Sequence, residues 1–81
     1  MNVDVITPEN QLSWEGVSLV QLPGRDGLFE VLKGHAPMIA ALGNGKAKME
    51  ASGETKVFSV NGGVVEILSD HIKIMTESYS E

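Results

Sequence analysis

Few side chains in this sequence are suited to making or breaking bonds. The two histidines are His35 and His71. His35 with Asp26 or Glu30 can be drawn as a general base and its orienter, but nothing nearby supplies a nucleophile. The chain has no cysteine, which excludes a disulfide, a thiolate nucleophile and a thiolate metal site. No serine stands in a nucleophile-elbow context. Asn61-Gly62-Gly63 lacks the lysine and following helix of a phosphate loop, and reads as left-handed backbone. One histidine in a Gly-His-Ala-Pro turn is not a metal site. The sequence therefore predicts no catalysis of its own, no cofactor and no metal.

What stands out is a stretch suited to binding, Pro23 to Leu42. Its first part, Pro23-Gly24-Arg25-Asp26-Gly27, is loop-prone and carries both signs of charge. Its last part, Ala36 to Leu42, is apolar and uncharged. Turn chemistry accounts for the glycines and prolines. It does not account for a charged loop set beside an apolar run, whereas a docking surface does. An ordinary solvated hairpin and a plain buried strand are the competing readings.

The rest of the chain is a scaffold for that stretch. At 81 residues it forms one domain with a stability on the order of 5 kcal/mol. A hydrophobic fraction of 42% fits a folded chain rather than a disordered one. The formal net charge of -5 makes nucleic-acid binding unexpected. Ala36 to Leu42 is the longest uncharged apolar run and is too short to cross a bilayer, so no membrane insertion is expected. The first ten residues show neither the basic nor the apolar segment of a signal peptide.

Alternation and turn residues predict short strands throughout. These are Val3 to Val5, Leu12 to Trp14, Val17 to Leu22, Leu28 to Leu32, Met38 to Leu42, Ala47 to Ala51, Val57 to Val60, Val64 to Leu68 and Ile72 to Met75. Thr7-Pro8-Glu9-Asn10, Gly43-Asn44-Gly45, Ser52-Gly53-Glu54, Asn61-Gly62-Gly63 and Ser69-Asp70 read as turns between them. No helical period persists over ten residues, and turn signals recur every eight to twelve, as in an all-β sandwich or barrel. The expected core is Val5, Leu12, Val17, Leu19, Phe29, Val31, Ile39, Leu42, Met49, Phe58, Val60, Val65, Ile67, Ile72 and Ile74. Trp14 is expected at the core or its edge. Residues 1–76 form the domain, and 77–81 read as a polar tail.

In this order the motifs resemble a known family. A strand ending in Pro8-Glu9 is followed by Leu12-Ser13-Trp14-Glu15-Gly16 and the charged Pro-Gly loop. Gly34-His35-Ala36-Pro37 comes next, then Phe58-Ser59-Val60-Asn61-Gly62-Gly63-Val64-Val65-Glu66, then Ile72-Lys73-Ile74. The chain resembles the N-terminal β-sandwich domain of the epsilon subunit of F-type rotary ATP synthase, called delta in mitochondria, from about Val3 to Thr76. The resemblance implies a small sandwich of two antiparallel sheets in the central stalk, a rotor subunit coupling ion translocation to ATP synthesis. The implied partners are the gamma subunit and the membrane rotor ring, and the implied place is peripheral, on the cytoplasmic face of a bacterial inner membrane. By position, Gly24, Arg25, Asp26, Gly27, Leu28, Glu30 and His35 match the edge facing the ring. Ala36, Pro37, Met38, Ile39, Ala40, Ala41 and Leu42 match the segment near gamma, with residues around Val60 to Val64 adding to that face.

The sequence departs from the family pattern at three positions. Leu28 stands where an acidic residue is usual, Glu30 where glycine is usual, and Lys33 where proline is common. The expected consequence is a rearranged ring contact, with Glu30 or Asp26 supplying the negative charge. The C-terminal helical hairpin of many members has no counterpart up to Glu81, and the tail, with no helix start, is expected to be a natural end. Two alternatives remain in view: a lipoyl- or biotinyl-type carrier domain, for which Lys33 is the nearest candidate lysine without its usual neighbours, and a free-standing protein-binding adaptor.

Overall fold

The computed structural model describes residues 1–81, all strand and turn with no helix. The strands are β1 (Asn2–Ile6), β2 (Gln11–Trp14), β3 (Val17–Gly24), β4 (Gly27–Leu32), β5 (Met38–Ala51), β6 (Glu54–Leu68), β7 (His71–Met75) and β8 (Tyr79–Ser80). Hydrogen bonding follows one path, β2-β1-β7-β6-β5-β3-β4, with β8 on β6. A flat sheet of that many strands would enclose nothing. Here 15 buried apolar residues form a single cluster inside a body of 25 × 23 × 19 Å, so the path folds back into two layers. The all-β sandwich expected from the sequence is present. One pairing is parallel, β1 with β7, which makes the hydrogen-bonded path mixed where two antiparallel sheets were expected.

The fold-back happens inside the two longest strands, at glycines. β5 and β6 keep one antiparallel register from Met38↔Ile67 to Ala51↔Glu54. Within it the inward phase slips. Leu42 and then Ala47 point inward on β5, and Val60 and then Val65 on β6. An odd spacing between inward residues breaks the two-residue period of a strand. Gly62 and Gly63, at φ 62° and 110°, supply the left-handed backbone that turns the ribbon over. Gly43-Asn44-Gly45 and Asn61-Gly62-Gly63, expected as chain-reversing turns, are thus kinks within continuous strands.

The core largely matches expectation, and its exceptions have causes. Val5, Val17, Val31, Leu42, Met49, Phe58, Val60, Val65, Ile67, Ile72 and Ile74 are buried. Leu19 is only half-buried, because a register shift against β5 between Val17 and Leu19 turns Val20 and Leu22 inward instead. Phe29 and Leu12 are half-buried. Ile39 is exposed, at 70%. Val3 and Ala47 are buried although the sequence reading left them out. Trp14 packs on the core, 6.3 Å from the Phe58 ring. Tyr79 and Ser80 form a strand that no sequence signal marked.

Candidate docking surface

The charged loop is the tip of the β3–β4 hairpin, Gly24 to Gly27, and glycine is required at its start. A Cβ on Gly24 would sit 2.6 Å from the Gly27 carbonyl oxygen and 3.0 Å from the Phe29 ring. The Arg25 backbone N–H donates to the Ala41 carbonyl at 3.0 Å, which ties the hairpin to β5. From the tip, β4 alternates: Phe29 and Val31 turn inward, while Leu28, Glu30 and Leu32 are exposed on an edge strand paired only with β3. Leu28 is 68% exposed.

His35 lies beyond the far end of β4, in a turn. Its N–H donates to the Leu32 carbonyl at 3.1 Å. Its Nδ1 is 2.7 Å from the Ala36 carbonyl, an acceptor, so Nδ1 carries the proton. His35 is a turn histidine whose hydrogen bonds go to the Ala36 and Leu32 carbonyls rather than to Asp26 or Glu30, and the base-and-orienter drawing has no geometry behind it. The residues matched to the ring edge are therefore strung along β4 rather than gathered: Gly24, Arg25, Asp26, Gly27 and Leu28 at one end, Glu30 in the middle, His35 past the other end.

Strand alternation splits the apolar run. Leu42 is buried, and Met38 and Ala40 pack against the core. Ile39 and Ala41 take the opposite phase, with Ile39 standing in solvent and Ala41 half-buried. Ala36 and Pro37 are exposed in the approach to β5. Only part of Ala36–Leu42 is therefore free to meet a partner. Of the residues around Val60 to Val64, Val60 is buried, and Val64, opposite Ala41, is exposed.

Around Ile39 the outer surface is open and sets apolar residues beside the charges of Arg25, Asp26 and Glu66. An open depression of about 490 Å³ is lined by the hairpin residues Gly24 to Phe29 on one side and Ile39 to Ala41 on the other. A second, of about 510 Å³, lies between Ile39 and Leu68 over Pro37, Met38 and Glu66. Leu68 is 59% exposed and was missed from the sequence. The signal was available: Leu68 shares strand phase with Val64 and Glu66, opposite to buried Val65 and Ile67. The charged hairpin and the exposed half of the apolar run, read as two surfaces, thus share a depression and a hydrogen bond.

Along the cross-strand row that runs from Ile39 through Glu66 and Lys73, Asp4 and Ser13 follow. Ser13 Oγ donates to Asp4 Oδ1 at 2.6 Å, and His71 Nε2 lies 2.7 Å from Asp4 Oδ2. The carboxylate sits between the other two groups, so the histidine does not activate the serine. The arrangement is structural, tying β2 and β7 to β1. The Ser13 and His71 hydrogen bonds, in that order, hold the Asp4 carboxyl below its ordinary value of 3.8. A carboxyl depressed by folding adds stability above its unfolded pKa, and that stability is lost as pH falls through the lower folded value. Asp4→Asn is expected to lower stability near neutral pH by about 1 kcal/mol and to flatten the acid limb of a urea-midpoint-against-pH curve below about pH 4. An unaltered acid limb would count against this tie.

Comparison with known proteins places the chain. The family described as "ATP synthase, Delta/Epsilon chain, beta-sandwich domain" matches residues 1–81. The chain is similar to the ATP synthase epsilon chain of Solibacter usitatus, 38% identical over 77 residues, spanning 95% of this chain and 58% of that one. It is 37% identical over 79 residues to the epsilon chain of Chlorobium limicola, spanning 96% of this chain and 90% of that one. Two solved structures share the fold. One is a chain of the Tetrahymena thermophila mitochondrial ATP synthase central stalk and c-ring, with TM-score 0.86 and 18% identity over 100% of this chain and 66% of that one. The other is a chain of the Euglena gracilis mitochondrial ATP synthase, with TM-score 0.89 and 20% identity over 95% of this chain and 50% of that one. Motif order, sandwich fold and full-length family match agree, and the chain belongs to the ATP synthase delta/epsilon family, as its β-sandwich domain.

Proposed function

We propose that this chain is a non-catalytic central-stalk subunit of an F-type ATP synthase, joining gamma to the membrane rotor ring and helping couple ion translocation to ATP synthesis. The observation that carries the reading is Ile39. In an epsilon-family sandwich it is the most exposed large apolar side chain, and it sits between two open depressions. Such a residue gains most from being covered. The face around Ile39, Ala41, Val64 and Leu68 packs against gamma. The outer edge of β4, with Leu28, Glu30 and the Arg25-Asp26 tip, meets the polar loops of the ring.

Torque transfer asks for stiffness rather than chemistry. Two packed layers joined by continuous β5 and β6 provide it. A standard contact buries roughly 800 Å² per partner, about a sixth of the 4741 Å² surface, so two such contacts fit on this body. No helix of the chain is long and apolar enough to cross a membrane. We place the subunit peripherally, on the cytoplasmic face of a bacterial inner membrane, as part of the synthase. The carrier-domain alternative finds no support at Lys33, which lies in the turn after β4 rather than at a tight hairpin tip.

The test separates the two contacts. Arg25→Ala with Asp26→Ala removes the rim charges but keeps the backbone bond from Arg25 N–H to Ala41, so the hairpin stays tied. Rim charges set on-rate and register more than affinity. Association with the membrane sector is expected to weaken by about tenfold or less, with gamma binding unchanged, in a pull-down from solubilised membranes. Equal loss of both would mean that the hairpin belongs to the gamma contact.

A further inference from the structure

After Met75 the chain crosses from one layer to the other. The Thr76 N–H donates to the Ile6 carbonyl at 3.0 Å, and buried Thr76 Oγ1 accepts from the Asn61 N–H at 3.0 Å. Tyr79 and Ser80 then pair with Val60 and Ser59 on β6. The Tyr79 ring lies 5.0 Å from Phe58 and 6.1 Å from Trp14. Glu81 is held at both carboxylate oxygens: Lys56 Nζ donates to its Oε1 at 2.9 Å and the Tyr79 hydroxyl to its Oε2 at 2.8 Å. Lys56 Nζ also sits 6.0 Å over the Trp14 ring. Beside these groups a cleft of about 430 Å³ remains open between Trp14, Met49, Lys56, Val57 and Glu81.

The fastening of this segment is lopsided. Thr76 is buried and bonded to both layers, so it is a fixed anchor. Beyond it β8 has two ladder pairs, one half-buried aromatic ring and an exposed ion pair. Exposed ion pairs hold weakly, and short edge elements open without the rest of the fold. Burial pushes the Tyr79 phenol above its ordinary range and so keeps it a hydrogen-bond donor.

We infer that residues 77–81 are a releasable strap filling a strand-docking site made by the β6 edge, Trp14, Phe58 and Lys56. The open site takes an extended segment bearing an aromatic residue followed two positions later by a carboxylate. The ligand chemistry is read from the segment that fills the site in cis: ladder bonds from backbone, stacking from Tyr79, charge from Glu81. The strap owes nothing to the stalk contacts proposed above and stands or falls separately from them.

Hydrogen exchange on the intact chain tests the strap. The amides of the Ser59–Ser80 and Val60–Tyr79 pairs are expected to exchange faster than those of the β6–β7 ladder. Glu81→Gln should speed them a further two- to fivefold, roughly, and Tyr79→Ala by at least about tenfold, with the global urea midpoint little changed for Glu81→Gln. Exchange of these amides only together with the β6–β7 ladder overturns the strap. For the docking site, the probe is the free peptide of residues 77–81 added at millimolar concentration to the intact chain carrying Tyr79→Ala and Glu81→Gln. Trp14, the chain's one tryptophan, reports through acrylamide quenching. Saturable shielding, lost when Lys56→Met is added, is the expected result, and no shielding overturns the site.

Discussion

Gly63→Ala is expected to unfold the domain, or nearly so. Gly63 lies in the middle of β6, where the ribbon turns over, at φ 110°. A Cβ there would overlap the Met75 carbonyl oxygen and come within 2.9 Å of both the Met75 carbonyl carbon and Thr76 Cα. These are backbone atoms of β7 and the residue after it, so no side-chain rotamer relieves the clash. Relief would require parting β6 from β7, whose ladder runs from Val64↔Met75 to Leu68↔His71. The expected loss is about 3 kcal/mol or more, against a total on the order of 5 kcal/mol for a domain of this size. Gly62→Ala is the control. It also has positive φ, but its nearest neighbour is Asn44 Oδ1 at 3.7 Å, so about 1 kcal/mol is expected. Urea unfolding of the two variants should differ plainly. Similar midpoints would show that the ribbon turns over by some other means.

The second large effect concerns binding. Ile39→Glu should abolish association with gamma while leaving the isolated domain folded, because the side chain is 70% exposed and loses little by becoming polar. A charge at the centre of an apolar contact costs several kcal/mol, about a thousandfold in affinity or more. Met38→Glu, one residue away, is expected to behave differently. Met38 packs on the core, so a carboxylate there destabilises the fold itself, and any loss of binding would be uninformative. From the sequence alone either residue was a fair choice, because nothing in Ala36 to Leu42 shows which phase of the strand faces inward. Leu68→Glu should weaken gamma binding less than Ile39→Glu, since Leu68 borders only the second depression.

Much of the fold was legible because it rests on local rules. The alternation of Ala47, Met49 and Ala51, and of Val65 and Ile67, marked strands, and of their inward residues Met49, Val65 and Ile67 are buried as expected. The motif order Gly34-His35-Ala36-Pro37 and Asn61-Gly62-Gly63 pointed to the family. What was hidden depends on contacts distant in sequence. Glycine clusters read as turns because left-handed backbone usually reverses a chain; here the partner strand makes the same kink opposite, and both strands continue. The inward phase of β3 was misread at Leu19 because its shift is set by pairing with β5. Ile39 was read as core because an apolar residue between apolar neighbours gives no alternation to follow. β8 was invisible because two residues held by the Ser59 and Val60 ladder and by the Phe58 and Trp14 rings against Tyr79 carry no period of their own.

The candidate surface was half legible. The hairpin and the apolar run were found, but not their meeting across the depression between Leu28 and Ile39, nor the contribution of Leu68. The bond from Arg25 to Ala41 joins backbone to backbone, and no residue type announces it.

The most direct test of the docking account is site-specific photo-crosslinking in the assembled enzyme, with the reactive side chain placed in turn at positions 39 and 28 of the intact chain. The account predicts that position 39 captures gamma and position 28 captures the rotor ring. Capture of the ring from position 39, or of neither partner from either position, would contradict it.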